Sequence, residues 1–312
     1  MTEFNHVTVL LNEAVAGLNI KPTGIYVDAT LGGGGHSEAI LKQLTTGHLY
    51  SFDQDQTAID YNQEHLKPYL KAGQETFIKN NFRHLKSALN AQGVTKIDGI
   101  VYDLGVSSPQ FDDAKRGFSY QHDALLDMRM DQRNPLTAYE VVNSYSQEDL
   151  ERILFNYGEE RWTKRIVQFI LKAREEKPIK TTGELVHIIK AAIPKGARSE
   201  GSHPAKRTFQ AIRIEVNGEL KILEQTMKDC VRRLKSGGRL GVITFQSLED
   251  RIIKQTFRYM ERDCVCPPEL PVCVCHHHKE VRQVVKALKP SAEELKENPR
   301  ARSAILRVVE KI

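Results

Sequence analysis

Ile25-Tyr-Val-Asp28-Ala-Thr-Leu-Gly32-Gly-Gly-Gly35-His36 is a mostly apolar run that ends in four successive glycines. Ile25 to Ala29 has the length and apolar character of a buried parallel strand. Glycine has no Cβ, so the chain turns sharply there and its amides can come close to a ligand. From Ser37 to Leu44 the apolar residues Ala39, Ile40, Leu41 and Leu44 fit one face of a helix. Strand, glycine turn and helix together form a nucleotide-binding unit.

The dinucleotide pattern G-x-G-x-x-G fails here in both frames. Begun at Gly32 and Gly34 it meets Ser37, and begun at Gly33 and Gly35 it meets Glu38. The methyltransferase-type pattern acidic-x-G-x-G-x-G fits Asp28, Thr30, Gly32 and Gly34, with threonine in place of the first glycine. A plain turn closing a strand is the alternative, since glycines punctuate many α/β loops.

A chain of 312 residues is long enough for one large α/β domain with an insertion, or for two domains. With 40% hydrophobic and 27% charged residues it reads as a soluble globular protein. The N-terminus carries no basic leader and no apolar run suits a membrane span, so a cytoplasmic location and no membrane partner are expected. A net charge of +5 permits a polyanionic partner without demanding one. Four of the five cysteines crowd into Cys264-Val-Cys266 and Cys273-Val-Cys275. Without an export signal, such a cluster points to metal or free thiols rather than structural disulfides.

His6 to Leu18 reads as a lead-in and short helix. A second strand, His48 to Asp53, ends about 20 residues past the glycines, where a carboxylate accepts ribose hydroxyls. Asp55 or Thr57 starts the next helix as its cap. Glu75 to Lys79 is a third strand, followed by Asn80-Asn81-Phe82, where an aromatic ring can support an adenine or simply fill the core. Ile97 to Tyr102 is a fourth strand, ending at Asp103. Alternation of strand and helix implies a parallel sheet with its ligand crevice at the carboxyl edge, where the glycine loop, Asp53, Phe82 and Asp103 converge.

After Ser107-Ser-Pro-Gln110 the rhythm becomes purely helical. Thr137-x-x-Glu140 and Thr181-x-x-Glu184 are capping boxes, and Leu150, Ile153, Leu154, Trp162, Ile166 and Ile170 recur at helical spacing. The expected organisation is a first sheet part at 1–110, an all-helical insertion at 111–205, and a second sheet part at 206–312. The insertion is large enough for a small core of its own. A long helix should cover much of Arg207 to Leu234, broken near Asn217-Gly218 and ended by Ser236-Gly-Gly238. Arg239 to Phe245 is then a fifth strand. Ser247 is the expected cap of the following helix, and strands at Val281–Lys286 and Ser303–Glu310 close the chain.

Five segments together resemble the RsmH (MraW) family: His6 to Glu13, Asp28 to His36, Asp103-Leu-Gly-Val-Ser-Ser-Pro-Gln110, Arg116-Gly-Phe-Ser119, and Asn298-Pro-Arg-Ala-Arg-Ser303. These bacterial S-adenosylmethionine-dependent enzymes methylate the exocyclic amine of one cytidine in 16S ribosomal RNA. The resemblance spans nearly the whole chain. It implies a class I (Rossmann-like) methyltransferase sheet with an inserted helical domain. It implies S-adenosyl-L-methionine as cofactor, with Gly34, Gly35 and His36 at its methionine end. It also implies Asp53 on the ribose, Phe82 beside the adenine, and Asp103 and Gln110 completing the pocket. Its partner would be 16S rRNA in the small ribosomal subunit, and a homodimer stays open.

The chemistry that this implies is in-line attack on a sulfonium methyl, for which positioning supplies most of the catalysis. A cytosine amine is a poor nucleophile because its lone pair is delocalised, so an acceptor on an amine hydrogen would help. Amino methyltransferases commonly place an Asp-Pro-Pro-Tyr type loop after the fourth strand. Ser107-Ser108-Pro109-Gln110 stands there instead, with serines for the acid and glutamine for the aromatic. Asp103 and the Ser107–Ser108 backbone are the candidates to bracket the amine, a cofactor-only role for Asp103 being the alternative. Phe111, Phe118 or Tyr120 is a candidate for stacking on the base.

A base in folded RNA must be splayed out to reach such a pocket. Lys195, Arg198, Lys206, Arg207, Arg300 and Arg302 are candidates to hold phosphates, or are solvated surface charge. C-x-C-x6-C-x-C before His276-His-His278 has donors for zinc. It lacks the common C-x2-C spacing and carries Pro267, Pro268 and Pro271 in between, so free thiols are the favoured reading. A methyltransferase for another nucleic acid or a small amine, and a non-catalytic RNA-binding module, are the alternative functions.

Overall fold

The computed structural model describes residues 7–106, 111, 113–198, 203–270 and 272–312. In chain order it begins with α1 (Leu11–Leu18), β1 (Ile25–Asp28), α2 (Gly35–Leu41), β2 (His48–Asp53), α3 (Gln56–His65), α4 (Lys67–Lys71), β3 (Glu75–Lys79), α5 (Leu85–Ala91) and β4 (Ile97–Asp103). The helices α6 (Ala138–Ser144), α7 (Gln147–Gly158), α8 (Thr163–Glu176), α9 (Thr182–Ala192), α10 (Lys195–Arg198) and α11 (Lys206–Asn217) follow. The chain ends with α12 (Leu223–Arg233), β5 (Leu234–Thr244), α13 (Ser247–Glu261), β6 (Val281–Leu288), α14 (Ala292–Glu297) and β7 (Ile305–Lys311). Two compact units result, one made of 1–105 with 220–312, the other of 106–219.

The first unit holds a seven-stranded sheet among the described residues, in the order β3-β2-β1-β4-β5-β7-β6. β1 to β5 pair in parallel, while β7 lies antiparallel between β5 and β6. β4 is buried from Ile97 to Tyr102, as a strand covered on both faces must be. Its Gly99 makes room for Tyr26, since a Cβ there would sit 2.8 Å from the tyrosine ring. Val27, Phe52, Ile100, Val242 and Phe257 fill the core on one face, and Tyr26, Leu49, Val101, Ile243 and Leu306 fill the other. Each such side chain contributes about 1.5–3 kcal/mol by leaving water. Strand order reverses between β1 and β4, which opens a crevice at their carboxyl ends. This is the class I methyltransferase sheet.

The junction before β5 differs from the sequence expectation. The helical stretch is broken at Gly218, which takes a left-handed φ of 62°. It then ends at Arg233, ahead of the glycines. The Arg233 guanidinium donates to the carbonyls of Val94, Thr95 and Lys86, and Leu234 already pairs with Ile97. Ser236-Gly-Gly238 therefore lies inside the strand, where the register shifts between Ile97 and Gly99. Ser247 is likewise not the cap of α13. Gln246 is, its amide donating to the Glu249 carboxylate at 3.2 Å.

The second unit is helical apart from a single bridge between Leu125 and Thr181 among the described residues. Both sequence-read capping boxes are formed, at Thr137 with Glu140 and at Thr181 with Glu184. Its core gathers Val141, Leu150, Ile153, Ile166, Ile170 and Ile189. The unit runs to Glu219 rather than to residue 205, because α11 buries Phe209, Ala211, Ile212 and Val216 in that core.

Candidate cofactor site

Asp28 ends β1 almost fully buried, at 1% exposure. Its Oδ1 accepts from the Thr30 amide at 3.0 Å and its Oδ2 from the Ser37 hydroxyl at 2.8 Å. Burial outweighs these bonds and pushes the carboxyl up to about 6. The loop that follows is shaped by the protein's own neighbours. Gly34 takes a left-handed φ of 81°, and a Cβ there would lie 1.9 Å from Asn62 Oδ1. Asn62 in turn donates to the carbonyls of Gly32 and Ala58. A Cβ on Gly35 would lie 1.9 Å from Thr8 Oγ1. His36 is buried in the first turn of α2.

Asp53 ends β2 and braces this loop. Its Oδ2 accepts from the Gly32 amide at 3.0 Å and its Oδ1 from the Asp55 amide at 2.8 Å. An ionised carboxylate has about four acceptor positions, so capacity remains for a ribose hydroxyl. Burial raises Asp53 to about 6. Asp55 caps α3 by accepting from the Thr57 amide at 3.0 Å, so the two carboxylates divide bracing and capping between them. Beyond β3, Asn81 caps a short turn over Phe82–His84. It leaves Phe82 half-buried, edge-on to Tyr102 with ring centres 5.3 Å apart.

Asp103 ends β4, and its amide donates to Thr30 Oγ1 at 2.6 Å. The threonine that breaks the glycine pattern thus ties the first loop to the fourth strand. Part of Asp103 reaches solvent, yet Oδ1 is sequestered and has no hydrogen-bond partner among the described residues. Burial, then repulsion from Asp28 and Glu249, pushes its carboxyl up to about 8. Glu249, in α13, accepts from the amides of Phe245 and Gln246 at 3.1 and 3.2 Å. Sequence reasoning passed over Glu249, although a glutamate at the third position of a helix that follows a strand is placed to accept from the amides of the helix start.

Asp28, Asp103 and Glu249 thus crowd three carboxyl groups at this edge of the sheet, and their mutual repulsion helps to hold a proton on Asp103 until a cation arrives. An orphaned acceptor among acids suits a cationic donor above all. S-adenosylmethionine fits this demand, since it carries both a sulfonium and an ammonium. A cleft of about 380 Å³ lies elsewhere, lined by Lys254, Arg258, Glu261 and Lys286, and holds none of these groups.

Ser107, Ser108, Pro109 and Gln110 lie outside the described residues. In the second unit, Phe118 is buried in the core and so is unavailable for stacking on a base. Tyr120 already stacks on His203, with ring centres 4.6 Å apart. Gly117 has a packing reason of its own: a Cβ would meet the Leu125 carbonyl at 2.3 Å. Arg116 donates to the carbonyls of Arg129 and Met130. Lys195, Lys206 and Arg302 are exposed. Arg198 and Arg207 are spent in part on the carbonyls of Ile193 and Glu159. The sulfurs of Cys264, Cys266, Cys273 and Cys275 all lie within 4.8 Å of one another. Among the described residues no helix is long and apolar enough to cross a membrane.

Residues 3–312 match the MraW methylase family. The chain is 60% identical over 313 residues to the ribosomal RNA small subunit methyltransferase H of Limosilactobacillus fermentum, covering 100% of both chains. It is 57% identical over 314 residues to the protein of that name from Lactiplantibacillus plantarum, covering 100% of this chain and 98% of the relative. To the Clostridioides difficile protein of that name it is 53% identical over 312 residues, covering 99% of this chain and 100% of the relative. Likeness of this extent, end to end, leaves one conclusion: the chain belongs to the MraW methylase family.

Proposed function

We propose that the protein transfers a methyl group from S-adenosyl-L-methionine to the exocyclic N4 amine of a cytidine in 16S ribosomal RNA of the small ribosomal subunit. The carrying observation is the orphaned Asp103 Oδ1 at the diverging strand ends, held among Asp28 and Glu249. Bound there, S-adenosylmethionine supplies an electrophilic methyl on a sulfonium. Gly34, Gly35 and His36 would hold its methionine end, Asp53 its ribose and Phe82 its adenine, with Gln110 completing the pocket.

For the acceptor, the reading assigns Asp103 and the Ser107–Ser108 backbone to the hydrogens of the amine. A carboxylate accepting such a hydrogen localises nitrogen density and orients it for attack. Asp103 performs this only when ionised, and a nearby cation favours that form. The helical unit and the exposed Lys195, Lys206 and Arg302 would position RNA through its phosphates, without reading sequence.

Transfer of labelled methyl to small ribosomal subunits, free 16S rRNA and duplex DNA tests the reading, with nucleosides resolved afterwards by mass. The expected label is N4-methylcytidine in the small subunit. Label on DNA alone, or none on any substrate, overturns it. Measuring Asp103→Asn at saturating cofactor separates its two roles. Unchanged turnover there confines Asp103 to cofactor binding.

A further inference from the structure

Between α13 and β6 the chain runs from Arg262 to Glu280 with almost nothing to bury. Leu270, Val272 and Val274 are 46, 70 and 64% exposed. A segment without a core needs a staple to stay ordered. Its cysteines are arranged to supply one. Cys264 Sγ lies 3.5 Å from Cys273 Sγ and 3.8 Å from Cys275 Sγ. Cys273 Sγ lies 3.5 Å from Cys275 Sγ and 4.0 Å from Cys266 Sγ. A tetrahedron with metal–sulfur bonds of about 2.3 Å has sulfurs about 3.8 Å apart. A disulfide needs about 2.05 Å, and it joins thiols in pairs rather than in fours.

Main-chain amides surround the same sulfurs. Cys266 N donates to Cys264 Sγ, Val265 N to Cys275 Sγ and Val274 N to Cys266 Sγ, at 3.4 to 3.5 Å. Such donors offset thiolate charge and orient the ligands. The histidine side chains that follow are not among the converging donors. His277 Nε2 is bonded to the Tyr259 carbonyl at 3.0 Å and its ring packs on Tyr259, which pins the base of the loop to α13.

We propose that Cys264, Cys266, Cys273 and Cys275 bind a zinc ion in a closed four-thiolate site. With four protein ligands no coordination position is left for substrate, so the ion is structural. It replaces the missing hydrophobic core of the loop and is independent of the methyl-transfer site. Pro267 and Pro268 stiffen the chain that leaves the first Cys-x-Cys pair.

The full chain, purified anaerobically without added metal or chelator, should carry about one zinc per chain by elemental analysis. Its four loop thiols should resist alkylation until a mercurial displaces the metal. Replacement by cobalt should give the intense thiolate-to-metal bands of a tetrahedral site. The Cys264→Ser, Cys273→Ser double variant should lose the metal and keep unchanged affinity for S-adenosylhomocysteine, which shows that the sheet unit remains folded. Zinc-free wild-type protein whose four thiols alkylate at once overturns the proposal. So does a mass deficit of two disulfides in that anaerobically purified protein, or iron in place of zinc.

Discussion

Gly34 is held to glycine by the side chain of Asn62, whose Oδ1 stands where a Cβ would go. Gly34→Ala should therefore cost about 1–3 kcal/mol of stability through clash and left-handed strain, measured by urea unfolding. Pairing it with Asn62→Ala should recover the clash part, so the two changes should couple rather than add. Asp103 has a definite pH signature. Its folded carboxyl near 8 lies above the unfolded value of about 3.9, so the folded state keeps a proton that the unfolded state has lost. That contribution to stability is whole below about pH 4 and is lost as pH rises through about 8. Asp28 and Asp53, raised to about 6, lose theirs by about pH 6. In cofactor-free protein Asp103→Asn should flatten the decline between pH 6 and 8 relative to wild type. An unchanged slope would assign the decline to other groups.

At the scale of elements, the two Thr-x-x-Glu boxes were legible because a cap concerns only four adjacent residues. Thr181→Ala should cost about 1 kcal/mol, seen as a lower unfolding midpoint. The start of β5 was not legible in the same way. Ser236-Gly-Gly238 reads locally as a helix stop, yet Leu234 is claimed by Ile97, far away in sequence. Gln246 and Glu249 illustrate the middle case, since their spacing is that of a cap, but the effect of Glu249 on Asp103 arises only because β5, which leads into α13, pairs with β4. Glu249→Ala should remove that repulsion and move the Asp103 titration downward, followed by carboxyl NMR. It should also destabilise the protein by about 1–3 kcal/mol for each amide left unpaired at Phe245 and Gln246.

For the whole molecule, two units with separate cores imply separable roles. Ile153→Ala removes a fully buried side chain from the helical core and should cost that unit about 2–5 kcal/mol. Calorimetry should show its transition lowered, while affinity for S-adenosylhomocysteine stays unchanged and methylation of small subunits falls. Loss of cofactor affinity with this variant would contradict the division of labour. Binding of RNA should weaken steeply with added salt, since phosphate contacts release counterions.

The sequence alone determined what near neighbours decide: the apolar strands, the glycine turn, the helical rhythm of the insertion, its two Thr-x-x-Glu caps, and the placing of Asp53 and Asp103 at strand ends. Steric preference and hydrophobic period act over a few residues, so they can be read without a fold. Distances between remote residues are set by strand register and packing, which no short window contains. Only the tertiary structure brought Thr30 to the Asp103 amide, moved the edge of the insertion to Glu219, and made four sulfurs converge across a proline-rich loop.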